Sequence, residues 1–241
     1  MNGYRELKEI AWECNMELPK LGLAIHTFGN ASAVDRERGV IAIKPSGVPY
    51  DELRPEMMVV VALDNSVVDG TLRPSSDTKT HTLLYRHFSG VGGVVHTHSP
   101  YAVAWAQARR SVPILGTTHA DHLPADIPCT RQMTDSMIRG DYEEETGKLI
   151  VKTFARMSYE DVPMVLVAGH GPFSWGATPE KALYHSLMLE ELSKIACLTL
   201  QINPRTPRLR RPLIEKHFQR KHGPQSYYGQ SGSAPNKGDR Q

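Results

Sequence analysis

The stretch Val91-Gly92-Gly93-Val94-Val95-His96-Thr97-His98-Ser99-Pro100 joins an apolar, strand-like run to two imidazoles two residues apart. Successive side chains of a strand point to opposite faces, so in a strand His96 and His98 share one face, within reach of one cation. That spacing suits a metal-ligand pair, and it equally suits two polar residues closing an apolar strand. The segments around it have to decide.

Downstream, Pro163-Met164-Val165-Leu166-Val167-Ala168-Gly169-His170-Gly171-Pro172 reads as a second buried strand that delivers a histidine between glycines. Upstream, Ile25 to Val34, Gly39 to Lys44 and Met57 to Leu63 read as strands, the first two joined by a charged turn at Asp35 to Arg38. Helical spacing appears from Tyr4 to about Leu18, where Pro19 ends it. Pro74-Ser75-Ser76-Asp77 introduces another helix, with a serine as N-cap, Asp77 in the first turn, and His81, Leu84, Tyr85 and Phe88 as the buried stripe.

Further helices are predicted for Tyr101–Arg109, Thr134–Gly140, Gly147–Met157, Thr178 to about Gln201 and Pro212–Lys221. Thr178 caps the longest of these, Pro179 occupies its first position, and Leu183, Leu187, Leu192, Ile195 and Ala196 line its core side. Gly116-Thr117-Thr118-His119-Ala120-Asp121-His122 shows no period and is dense in functional groups, which places it in a loop or at a strand end.

Among 241 residues, 40% are hydrophobic and 22% charged, an ordinary globular composition that favours one domain over residues 1–230. Residues 231–241 form a polar tail expected to be disordered. A net charge of +2 points to neither nucleic acid nor an anionic membrane, and the basic run Arg205 to Arg211 reads as a solvated connection. Cys14, Cys129 and Cys197 are scattered and odd in number, the N-terminus lacks signal-peptide order, and no apolar run has membrane-spanning length. A cytoplasmic protein is expected.

Three histidines, His96, His98 and His170, make a plausible catalytic cation site, because three protein ligands leave a position for substrate. Asp77 is a fourth ligand or a group next to the metal. Zinc suits the nitrogen donors, and manganese or cobalt fits the same ligand types. Three turns, Gly29-Asn30, Lys44-Pro45-Ser46-Gly47 and Ser75-Ser76 at a helix start, offer N–H and hydroxyl donors for a phosphate. Each alone matches an ordinary tight turn; together with a metal site they point to a sugar phosphate.

These residues carry a family resemblance. Gly29-Asn30-Ala31-Ser32, Lys44-Pro45-Ser46-Gly47, Pro74-Ser75-Ser76-Asp77, His96-Thr97-His98, Gly116-Thr117-Thr118-His119-Ala120-Asp121, His170-Gly171-Pro172-Phe173, Lys221-His222-Gly223 and Tyr227-Tyr228-Gly229-Gln230 occur in the order of the class II aldolase family, over about residues 4 to 230. The chain resembles the epimerase branch of that family most. The resemblance implies an α/β, three-layer α/β/α fold with a central, largely antiparallel sheet flanked by helices. It implies zinc on His96, His98 and His170 with Asp77 beside or on it, and phosphate held by Asn30, Lys44, Ser46, Gly47, Ser75 and Ser76.

By the same resemblance Asp121 and Tyr228 are the acid/base pair, supported by Thr117, Glu143, His217 and Arg220, in homotetramers whose active sites lie between subunits. The implied activity interconverts L-ribulose 5-phosphate and D-xylulose 5-phosphate by breaking and re-forming the C3–C4 bond. The nearest alternative is a sugar-phosphate aldolase, where family members typically carry glutamate at the position of Asp77. A non-catalytic module like the adducin head is the other alternative, and it lacks the histidines.

Overall fold

The computed structural model describes residues 3–223. Its centre is a seven-stranded sheet in the order β4-β3-β2-β1-β5-β7-β6, every neighbouring pair antiparallel. The strands are β1 (Asn30–Asp35), β2 (Val40–Ile43), β3 (Val59–Ala62), β4 (Val67–Asp69), β5 (Gly93–His96), β6 (Met164–Leu166) and β7 (Pro172–Gly176). The helices are α1 (Arg5–Lys20), α2 (Thr78–His87), α3 (Pro100–Gln107), α4 (Thr117–Ala120), α5 (Asp135–Arg139), α6 (Tyr142–Thr153), α7 (Pro179–Ile202) and α8 (Arg211–His222).

Alternation along the strands explains the three layers. Ile41, Ile43, Val59, Val61 and Val94 face one core, shared with Leu84 of α2, Ile150 of α6 and Leu189 of α7. Val40, Ala42, Val60 and Val95 face a second core against Ala11, Cys14 and Leu18 of α1. Both faces are therefore apolar, which is why these strands read as continuous hydrophobic runs. The three-layer, antiparallel expectation holds.

Glycine lets the layers close. A Cβ on Gly93 would lie 2.4 Å from the Pro179 Cα, so α7 crosses β5 at a distance only glycine allows. Thr178 caps α7 by accepting from the Lys181 N–H, as predicted. Its buried face, however, is Ala182, Ser186, Leu189, Leu192, Ser193 and Ala196, and Ile195 is exposed.

Several predicted boundaries shift, each for a local reason. Residues 25–29 are not strand, because His26 (φ 57°) and Gly29 (φ 79°) turn the chain through left-handed conformations. The run 163–172 is not one strand: the Val167 N–H bonds to the Gly171 carbonyl at 2.8 Å and Gly169 (φ 76°) turns the chain, making a β6–β7 hairpin with His170 in the turn. Strand β5 stops at His96, whose neighbour Phe173 is followed back along β7 by Pro172, a residue with no N–H to extend the ladder. His98 thus lies past the strand.

Pro19 sits inside the last turn of α1 instead of ending it. The 116–122 segment contains the short helix α4, opened by Gly116. Helix α6 starts before Gly147, where Asp141 accepts from the Glu144 N–H and Glu143, Glu144 and Glu145 suit the positive end of the helix dipole. The edge strand β4, exposed along its length, had no sequence signal. Among the described residues no helix is long and apolar enough to cross a membrane.

Candidate active site

The ends of β1, β5 and β6–β7 converge on one cluster. Ring nitrogens of His96, His98 and His170 lie within 4.8 Å of one another, with His96 buried and His98 at the exposed rim. The Nδ1 of His96 lies 2.9 Å from the Pro172 carbonyl, which can only accept, so Nδ1 is the donor there and Nε2 is left facing the cluster. His96 Nε2 is 3.1 Å from His98 Nε2. Burial first, then the charge of His96, pushes His170 down to about 4, and the same causes lower His98. Unprotonated imidazoles are the form a cation requires.

A divalent ion fits this donor set. His170 Nδ1 is buried with no hydrogen-bond partner among the described residues, and the Phe173 ring stacks on His96 at 4.3 Å, fixing its plane. The three histidines could hold a metal ion.

Asp77 stands next to the cluster, its Oδ2 4.0 Å from His96 Nε2. It is the N-cap residue of α2 and lies before the first turn where it was predicted; its carboxylate caps nothing and instead accepts the Asn30 amide at 2.7 Å. Burial works to raise the Asp77 carboxyl, but His96, His81 and the Asn30 hydrogen bond outweigh it and hold it below the usual carboxylate value.

All six predicted phosphate residues line one cavity of about 280 Å³ together with Asp77, His96 and His98. Asn30 lies opposite His96 across the β1–β5 ladder. Gly29 is required before it, since a Cβ there would come within 2.9 Å of the His96 carbonyl oxygen. Gly47 has φ 72°, and the Ser75 hydroxyl accepts from the Asp77 N–H at 3.3 Å. Among the described residues Lys44 is the lysine that lines the cavity; it is 1% exposed, and burial pushes its ammonium down to about 8.

Asp121 belongs to a second constellation. Arg220 clamps it through both carboxylate oxygens, at 3.0 and 2.8 Å, and the His217 Nδ1 donates to Oδ1 at 2.9 Å. Burial would raise the Asp121 carboxyl; the Arg220 and His217 hydrogen bonds and the nearby Lys221 charge prevail and lower it. Thr117 holds the same corner, its carbonyl accepting the Asp121 N–H at 2.8 Å. Asp121 lines a different, more apolar cavity of about 510 Å³ with residues such as His122, Trp175 and Tyr184. Glu143 lies elsewhere, in the first turn of α6, where its carbonyl accepts the Thr80 hydroxyl at 2.6 Å; the preceding residue, Tyr142, has its ring 6.0 Å from that of His170. Tyr228 lies outside the described residues, as does the 231–241 tail.

Sequence reasoning missed Phe28 and Tyr142. Phe28 is 53% exposed and tilts against His98 at 5.7 Å, inside the phosphate cavity. An aromatic residue beside a Gly-Asn turn was its only signal.

Residues 9–197 match the family described as Class II Aldolase and Adducin N-terminal domain. The chain belongs to that family. A relative from Salmonella paratyphi C (strain RKS4594), an L-ribulose-5-phosphate 4-epimerase, is 48% identical over 226 residues, covering 94% of this chain and 99% of its own. Among solved structures, an L-fuculose 1-phosphate aldolase superposes with a TM-score of 0.75 at 24% identity, over 89% of this chain and 95% of that one. The L-fuculose 1-phosphate aldolase from Glaciozyma antarctica PI12 gives 0.72 at 15% identity, over 90% and 82%. These structural likenesses carry the fold.

Proposed function

We propose that the chain is an L-ribulose-5-phosphate 4-epimerase, an isomerase that interconverts L-ribulose 5-phosphate and D-xylulose 5-phosphate. The observation that carries this reading is the single cavity in which the Asn30, Lys44–Gly47 and Ser75–Ser76 turns meet the histidine cluster. The identity to the Salmonella epimerase favours that activity over cleavage.

The substrate's own chemistry sets the task. C4 is not adjacent to the C2 carbonyl, so its C–H is not acidic, and inversion there runs through scission of the C3–C4 bond, rotation of the aldehyde fragment and re-addition to its other face. The phosphate turns hold the C5 phosphate and so fix the distance from it to C3 and C4. His96, His98 and His170 would hold zinc, with manganese or cobalt as substitutes, and the ion would supply Lewis acidity toward the negative charge that develops on the substrate's oxygens. Asp77 stays ionised beside the histidines and keeps Asn30 in register with them.

Proton transfer falls to Asp121 and Tyr228, on opposite faces of the aldehyde. Arg220 and His217 keep Asp121 ionised and fixed, with Thr117 and Glu143 as supporting groups. Because Asp121 lines a cavity other than the histidine one, we assign the two to neighbouring chains of a homotetramer, each active site being shared. The exposed Ile195, Leu198 and Ile202 on α7 favour such an assembly. Free thiols at Cys14, Cys129 and Cys197 support a cytoplasmic setting.

An aldolase reading draws on the superposition with L-fuculose 1-phosphate aldolase. Incubation with L-ribulose 5-phosphate separates them. D-xylulose 5-phosphate is the expected main product; free dihydroxyacetone as the main product overturns the epimerase.

A further inference from the structure

The two halves of the phosphate cavity, the turn before β1 and the turn after β2, are tied by a residue that does not line it. Tyr50 is 5% exposed, and its hydroxyl donates to the carbonyls of Phe28 at 3.1 Å and Gly29 at 2.9 Å. On the other side, the Lys44 ammonium lies over the Tyr50 ring, 5.0 Å from its centroid. Lys44 also donates to the Val48 carbonyl at 2.6 Å. One side chain therefore holds the backbone leading into Asn30 and offers a π face to the cavity's cation. Burial, with a smaller contribution from Cys14, drives the phenol pKa well up, so the hydroxyl keeps the proton these bonds need.

We propose that Tyr50 is a positioning residue for the phosphate end of the cavity, setting the Phe28–Gly29 backbone with its hydroxyl and the Lys44 ammonium with its ring. The proposal rests on the phosphate reading of the cavity given above. Without Tyr50 the donors are still present, but the turn and the lysine are no longer fixed relative to each other, and a bound phosphate has to order them.

The test is calorimetric titration of the zinc-loaded protein with 2-phosphoglycolate and with glycolate, which share a carboxylate and differ in the phosphate. Tyr50→Phe keeps the ring and removes the hydroxyl. It is expected to weaken 2-phosphoglycolate about fivefold or more, the scale of one hydrogen bond, and to leave glycolate unchanged. Tyr50→Leu removes the ring too and is expected to weaken 2-phosphoglycolate by a further factor of about three. In turnover, Tyr50→Phe is expected to raise the KM for L-ribulose 5-phosphate with kcat held, a split that general loosening of the fold does not give.

Retention of wild-type 2-phosphoglycolate affinity by Tyr50→Phe, or equal loss for both probes, overturns the role of Tyr50 and leaves the phosphate reading standing. A wild-type protein that binds 2-phosphoglycolate no better than glycolate overturns the phosphate reading, and Tyr50's role with it. Tyr50→Phe is close to isosteric, so it carries the test alone if Tyr50→Leu fails to fold.

Discussion

The Asn30 amide donates to Asp77 at 2.7 Å, and through this bond the phosphate turn and the histidine cluster share a half-buried carboxylate. Removing the donor leaves that carboxylate less stabilised and free to rotate. Asn30→Ala is expected to reduce kcat/KM about tenfold or more, the scale of one hydrogen bond to a charged group, with bound zinc unchanged. Steady-state kinetics and metal analysis on the same preparation check it.

His96 is the buried member of the cluster, tied through Nδ1 to the Pro172 carbonyl. His96→Asn is expected to abolish stoichiometric metal and turnover together. Its circular dichroism spectrum should stay native, because the strand pairings of β5 do not depend on the imidazole. Metal retained at one ion per chain would remove His96 from the ligand set.

Asp121 is expected to behave in the opposite way. Asp121→Asn keeps the metal and lowers turnover by about 10²- to 10⁴-fold, the usual contribution of a positioned proton-transfer group. Normal turnover in this variant ends its acid/base role.

Lys44 gives the pH dependence a definite sign. Its value falls from 10.5 to about 8 on folding, so the unfolded chain binds the extra proton between those limits. Lys44 therefore adds stability as pH rises through that window and costs stability below it. Phosphate prefers the charged ammonium, which gives substrate binding the reverse trend. The KM for L-ribulose 5-phosphate is expected to climb above a pH of about 8, and Lys44→Met to raise KM at neutral pH and flatten that climb.

The sheet was legible because its strands are buried on both sides: runs such as Val59-Val60-Val61 announce themselves whatever their partners. The histidine set and the phosphate turns were legible because type and local spacing survive errors in boundaries. His98 was placed on the strand and lies beyond it, yet it still reaches His96. What stayed hidden depends on closure in three dimensions. The clamp on Asp121 joins α8 to α4 across about a hundred residues, and the hairpin that presents His170 hides at the end of an apolar run, in the short break Gly169-His170-Gly171. Tyr142 and Tyr50 show no periodic signal, because each acts through a neighbour brought close by folding.

Strand β5 is paired on both sides, by β1 and by β7, and its Val94 and Val95 sit in two separate apolar cores. The imidazole of His96 is thus mounted on a strand held from both edges and both faces, in a scaffold held together by burial and not by a cation. Such a protein folds first and takes up its metal afterwards, unlike small zinc domains that collapse without the ion. Its apoprotein should stay native under chelation and accept one divalent ion after another in the same mount, which makes ion exchange on the folded chain a direct way to learn which metal it was built to use.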